Sequence, residues 1–102
     1  MPERKPKRLP PIHPGEILQE LLNEAGLSVN ALALALRVPA NRVGAIVKGQ
    51  RGISGDTALR LARYFGSSPQ LWMNLQASYD LALAEDALRA KIEREVLPRS
   101  AA

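Results

Sequence analysis

The chain is punctuated as a succession of short helices, and that punctuation constrains the fold more than any other feature. Pro14 suits a first helical position, Glu16 favours the same terminus, and Gly26 suits the left-handed position past a last turn. Between them Ile17, Leu18, Leu21, Leu22 and Ala25 make one apolar stripe at helical spacing. Ser28 is an N-cap for a second helix, Val29 to Leu36, with Leu32, Ala33 and Leu36 inward. A third runs roughly from Ala40 to Lys48, behind Pro39 and closed by Gly49, with Val43, Ile46 and Val47 inward. Ser54 and Asp56 open a fourth, Gly55 to Phe65, which Gly66 ends, and Ser68-Pro69 opens a fifth through Leu71, Trp72, Leu75 and Tyr79. Leu81, Ala84, Leu88, Ile92 and Val96 keep helical spacing as far as Pro98, and the pattern leaves open whether this tail continues the fifth helix or breaks from it. No stretch alternates apolar and polar residues as a half-buried strand does. The expected fold class is all-α, a bundle of about five short helices packed crosswise with an extended C-terminal helix.

A chain of 102 residues suits one domain, and at that size a core forms without disulfides or a structural metal. The absence of Cys removes disulfide frameworks, thiolate metal sites and cysteine nucleophiles together. No apolar run approaches a membrane span, and the opening residues lack a signal peptide's apolar region, so a cytoplasmic domain is expected. The net charge of +4 is modest, but it is unevenly placed. Residues 1–11 carry +3, residues 12–36 carry −3, residues 37–63 carry +5 and residues 64–102 carry −1. The proline-rich basic start reads as a flexible arm (1–11), the body as one domain (12–97) and the end as a flexible tail (98–102). The arm has three uses open to it: reaching along DNA, wrapping a partner, or solubilising the chain. Clustered base over residues 37–63 is the footprint of a polyanion binder.

Val29–Arg51 is the informative stretch. Two short helices about three residues apart, with the small Ala33 where they cross, describe a helix-turn-helix unit. Leu32, Leu36, Val38, Val43 and Ile46 supply the contacts that fix the angle between them. Two positions depart from the usual pattern. Arg37 stands where Gly is most common, so either the turn takes another geometry or Arg37 bears left-handed strain of about 1 kcal/mol. Pro39 stands where a Ser or Thr cap is common, which predicts a third helix without a side-chain cap.

With Val43, Ile46 and Val47 inward, the opposite face of the third helix carries Asn41, Arg42, Gly44, Ala45 and Lys48. Asn41, Gly44 and Ala45, near the end that enters a major groove, are placed to meet base edges, and Arg42 either reads guanine or holds a phosphate. Lys48, Gln50 and Arg51 suit the phosphate backbone, as do the amides around Ser28 and Asn30.

The strings His13-Pro14-Gly15-Glu16-Ile17-Leu18, Gly26-Leu27-Ser28, Ile53-Ser54 with Asp56-Thr57-Ala58, Arg60-Leu61-Ala62-Arg63-Tyr64-Phe65-Gly66, Trp72-Met73-Asn74-Leu75-Gln76 and Tyr79-Asp80-Leu81 occur in that order. From about Ile12 to Leu97 the chain thereby resembles the HigA family of bacterial antitoxins, within the repressor-like (XRE) class of helix-turn-helix proteins. The resemblance implies a homodimer that binds a palindromic operator and represses its own operon. It also implies a HigB-type toxin partner that cleaves messenger RNA. Relatives with the same strings occur without an evident toxin, which leaves a stand-alone regulator as the alternative.

The remaining features have structural readings. Leu59, Ala62 and Phe65 are expected to pack on the helix-turn-helix. Dimer contact is expected around Trp72, Leu75 and Tyr79, with Trp72 also suited to the core. The Leu81–Val96 stripe suits a core, a dimer seam or a toxin-binding face. An enzyme is disfavoured: the single His13 precedes Pro14 as a helix-start residue, and no cofactor loop, metal cluster or nucleophile–base pair is legible. No cofactor is expected. An RNA or single-strand binder needs aromatics among the basic residues, whereas all four aromatics lie between Tyr64 and Tyr79. A toxin-binding module that has lost DNA binding remains open because of Arg37 and Pro39.

Overall fold

A computed structural model of the chain describes residues 10–100. They form α1 (Pro14–Ala25), α2 (Val29–Leu36), α3 (Ala40–Val47), α4 (Gly55–Phe65) and α5 (Pro69–Glu95), with no strand among the described residues. All but two residues of the expected basic arm lie outside the described residues.

The helix starts are set by side chains. Ser28, Ser54 and Ser68 accept the N–H of Ala31, Thr57 and Leu71 at 3.0, 3.2 and 3.2 Å. His13 does the same for α1, its Nδ1 accepting the Gly15 N–H at 2.9 Å while the Glu16 carboxylate accepts the His13 N–H at 3.1 Å. Gly26 and Gly66 end α1 and α4 in the left-handed conformation. Helix α3 is the exception: Pro39 makes no side-chain cap. It also ends at Val47, with Lys48 as its C-cap, one residue earlier than the sequence suggests.

Leu18 and Leu22 of α1, Leu32, Ala33 and Leu36 of α2, Val43 and Ile46 of α3, and Ala58 and Leu61 of α4 meet in one core with Ile53 and Trp72. Ala62 is buried and Phe65 packs against the core, but Leu59 is 62 % exposed. The inner face of α4 is taken by Thr57, Ala58, Leu61 and Ala62, and Leu59 lies one helical step past it. Val47 is only half-buried.

Helix α5 runs unbroken for 27 residues, about 40 Å at 1.5 Å per residue. Its first part docks against α4 and α1, and Trp72 is its only buried residue. Beyond Tyr79 the apolar stripe has no cover among the described residues: Leu81 is 63 % exposed, Ile92 48 % and Val96 63 %. Among those residues the stripe belongs to no intramolecular core.

Candidate nucleic-acid interface

The turn between α2 and α3 keeps its sequence and bears the strain. Arg37 has φ 61° and ψ 44°, the left-handed conformation that glycine normally takes. The turn closes through Arg37 N–H to the Leu34 carbonyl at 3.2 Å and Val38 N–H to the Ala33 carbonyl at 3.0 Å. A second fastening comes from α4. Arg60 Nη1 donates to the Leu36 carbonyl at 2.8 Å and reaches the Arg37 carbonyl at 3.5 Å, while its Nε donates to Asp56. An arginine from a neighbouring helix therefore caps α2 where no glycine can. Arg60→Ala is expected to lower the thermal midpoint, and Arg60→Lys to recover only part of it, because a single ammonium does not reproduce the guanidinium fork.

On α3, Asn41 is exposed, and Arg42, Gly44 and Ala45 are half-buried. Arg42 is not free: its Nη1 lies 3.4 Å from the second oxygen of Asp56, at the start of α4. A Cβ built at Gly44 would lie 3.9 Å from Val29 Cγ1, so the start of α2, with Ser28 and Asn30, sits beside the middle of α3. The beginnings of α2, α3 and α4 are thus gathered around one face. The Arg60 guanidinium hydrogen-bonding Asp56 holds its carboxyl below the ordinary value of 3.8, and Arg42 adds to the pull. The carboxylate therefore keeps its charge at neutral pH, and what the pair contributes is lost only in acid, as pH falls through that lowered value.

Lys48, Gln50 and Arg51 are exposed after α3. Gln50 N–H donates to the Ala45 carbonyl at 2.8 Å, and Gly49 turns the chain at φ 75°. Gln76 of α5 anchors the far side of this loop: its Oε1 accepts the Ile53 N–H at 2.7 Å and its Nε2 donates to Asp80 at 2.9 Å.

Of the four aromatics only Trp72 is internal to the protomer. Trp72 is 1 % exposed, with its indole N–H donating to the Ser67 hydroxyl at 3.3 Å. Its side chain therefore has no surface left to offer a second protomer. Leu75 and Tyr79 are half-buried, and Tyr79 meets the His13 ring edge-on at 4.8 Å. The sequence reading gave Asp56 only a helix-start role and gave none to Arg60 or Gln76, although the first two are an Asp–Arg pair four residues apart. Among the described residues no group of three or more His, Asp or Glu could hold a metal ion. Nor, among the described residues, is any helix long and apolar enough to cross a membrane.

A helix-turn-helix family model, HTH_3, matches residues 18–72, which hold α2, the strained turn, α3 and α4. The chain belongs to this helix-turn-helix family. Virulence-associated protein I of Dichelobacter nodosus is 58 % identical over 78 residues, 76 % of this chain and 72 % of that protein. The solved antitoxin HigA of Pseudomonas aeruginosa, with the higBA promoter, superposes with a TM-score of 0.85 at 55 % identity over 88 % of this chain and 99 % of that one. An addiction-module antidote protein of the HigA family from Coxiella burnetii superposes at 0.84, with 51 % identity over 89 % of this chain and 100 % of that one. The helix-turn-helix and α5 are therefore shared as one unit with HigA antitoxins.

Proposed function

We propose that this chain is a sequence-specific double-stranded-DNA-binding repressor and the antitoxin of a HigB/HigA-type toxin–antitoxin pair. It acts in the cytoplasm as a homodimer on a palindromic operator of its own operon. The observation that carries the reading is the near-full-length likeness to P. aeruginosa HigA with its promoter, joined to a basic helix-turn-helix whose α3 start is open. Asn41, Arg42, Gly44 and Ala45 face base edges, and Ser28, Asn30, Lys48, Gln50 and Arg51 face phosphates. The exposed stripe of α5 from Leu81 to Val96 is the dimer seam, with Leu75 and Tyr79 at its near end. An isolated helix with an uncovered apolar stripe is marginal in water and gains stability from a second copy. The two α3 helices then lie about one turn of DNA apart, roughly 34–36 Å.

Two substitutions separate base reading from charge. Asn41→Ala is expected to cost about 1–3 kcal/mol on the operator and to relax preference at one base pair per half-site. Lys48→Ala is expected to weaken all duplexes alike and to reduce the salt slope by about 1. Titrations of operator and shuffled duplexes at several salt concentrations check both, and identical behaviour of the two variants counts against the groove assignment. The toxin is tested by co-purification with the product of the neighbouring reading frame. Capture supports the antitoxin role, and its absence beside intact operator binding favours a stand-alone regulator.

Gly44 supports the same face. A Cβ there meets only Val29 at 3.9 Å, and glycine costs a helix interior about 0.5–1 kcal/mol against alanine. Gly44→Ala is expected to raise stability by about that amount while lowering operator affinity, because the backbone there approaches DNA. Thermal unfolding and the same titrations measure the two effects.

A further inference from the structure

Asp56 is shared by two arginines. One oxygen takes Nε of Arg60 and the other lies 3.4 Å from Nη1 of Arg42. Arg60 is itself bonded to the Leu36 carbonyl at 2.8 Å, so the carboxylate is steadied from the side of α2. Arg42 stands in the first turn of α3, and only 22 % of its side chain is exposed. Its Nη1 faces Asp56, while Nη2 and Nε make no hydrogen bond among the described residues. An unrestrained arginine samples many rotamers and pairs readily with a phosphate in reach. When it is held on a carboxylate, its free edge lies beside a negative charge that repels a phosphate anion but not a neutral base, and that edge can meet the O6 and N7 acceptors of guanine with the pair kept.

Resting on the DNA-binding reading above, we propose that Asp56 is a specificity-determining residue: it orients Arg42 toward a guanine in each half-site and withholds it from phosphate. Asp56 touches no base itself and acts through Arg42. The Arg60 bridge gives α4 a second task besides capping α2, because it fixes the carboxylate from which Arg42 is aimed. A motif whose turn lacks both the usual glycine and the usual cap is in this way coupled, through one acid, to what α3 reads.

The test is titration of the full chain with its operator and with a shuffled duplex across salt, for wild type, Asp56→Asn, Arg42→Gln and the double variant. Asp56→Asn is expected to lower the operator-over-shuffled preference about tenfold. It is also expected to steepen the salt slope on the shuffled duplex by about 0.9, the signature of one added phosphate contact. In the Arg42→Gln background the same change is expected to move neither quantity. A lower thermal midpoint with preference and slope unchanged would show Asp56 to be purely structural and overturn the proposal. Wild-type protein provides a check that does not depend on any variant folding. Replacing one operator guanine per half-site by 7-deazaguanine, which lacks the N7 acceptor, is expected to weaken binding. The proposal is overturned if no guanine position responds. If wild type shows no operator preference at all, the DNA-binding reading fails first, at a step before any variant is compared, and this proposal fails with it.

Discussion

Gly15→Ala is expected to destabilise the protein by about 3 kcal/mol, a fall in thermal midpoint of roughly 12–24 °C for a domain of this size. A Cβ built on Gly15 would lie 1.9 Å from the Ile46 carbonyl oxygen and 2.8 Å from its carbonyl carbon. Both are backbone atoms of α3, which cannot swing aside as a flexible side chain would. The first turn of α1 is fixed as well: the Gly15 N–H is bonded to His13 Nδ1 at 2.9 Å, and Pro14 beside it is fully buried. Relief requires α1 and α3 to separate, and Ile46 is 0 % exposed between them. Because α3 carries the base-facing residues, the loss should reach DNA binding as well as folding. Gly55 is the control, since a Cβ there meets nothing within 4 Å. Equal midpoints for Gly15→Ala and Gly55→Ala would refute the close approach.

Trp72→Ala is expected to cost about 3–5 kcal/mol in urea unfolding, the range for emptying a fully buried aromatic site. Trp72 is the largest fully buried side chain and the only residue of α5 buried in the protomer. Its loss leaves a cavity where α5 docks. One turn further on, Gln76 holds the Ile53 N–H at 2.7 Å, so the loop bearing Gln50 and Arg51 is expected to loosen too. Trp72→Phe retains most of the apolar volume and gives up the hydrogen bond to Ser67, so a smaller loss is expected. The variant also decides where Trp72 acts. As a core residue it lowers unfolding free energy at every protein concentration, whereas an interface anchor would act chiefly on dimer dissociation. A Trp72→Ala protein within 1 kcal/mol of wild type would contradict its place in the core.

Local chemistry made most of the fold legible. Helices α2 and α4 begin and end where their serine caps, Gly66 and the apolar spacing place them, because such signals act within one turn of chain. Arg37 and Pro39 were readable as departures, and the structure assigns the left-handed strain to Arg37. What repairs that turn, Arg60, comes from 24 residues away, and no local pattern announces a partner at that distance. Gly15 and Gln76 were hidden for the same reason: each matters through a contact with another helix or loop, with Ile46 and Ile53 respectively. Leu59 shows the opposite error. Its size suggested burial, but its angular position on α4 leaves it exposed. Trp72 and Tyr79 look alike in sequence as interface aromatics, yet docking of α5 puts one wholly inside and sets the other against His13. The uncovered stripe lies further along the same helix.

The central claim, that the open start of α3 reads one DNA sequence, is tested most directly by competition. A labelled duplex from immediately upstream of this protein's own gene is titrated with the intact chain near physiological salt, against unlabelled copies of itself and of a shuffled duplex. The expected result is two protomers per duplex and a preference of about 10³-fold or more over the shuffled competitor. Equal competition by the two duplexes would contradict it.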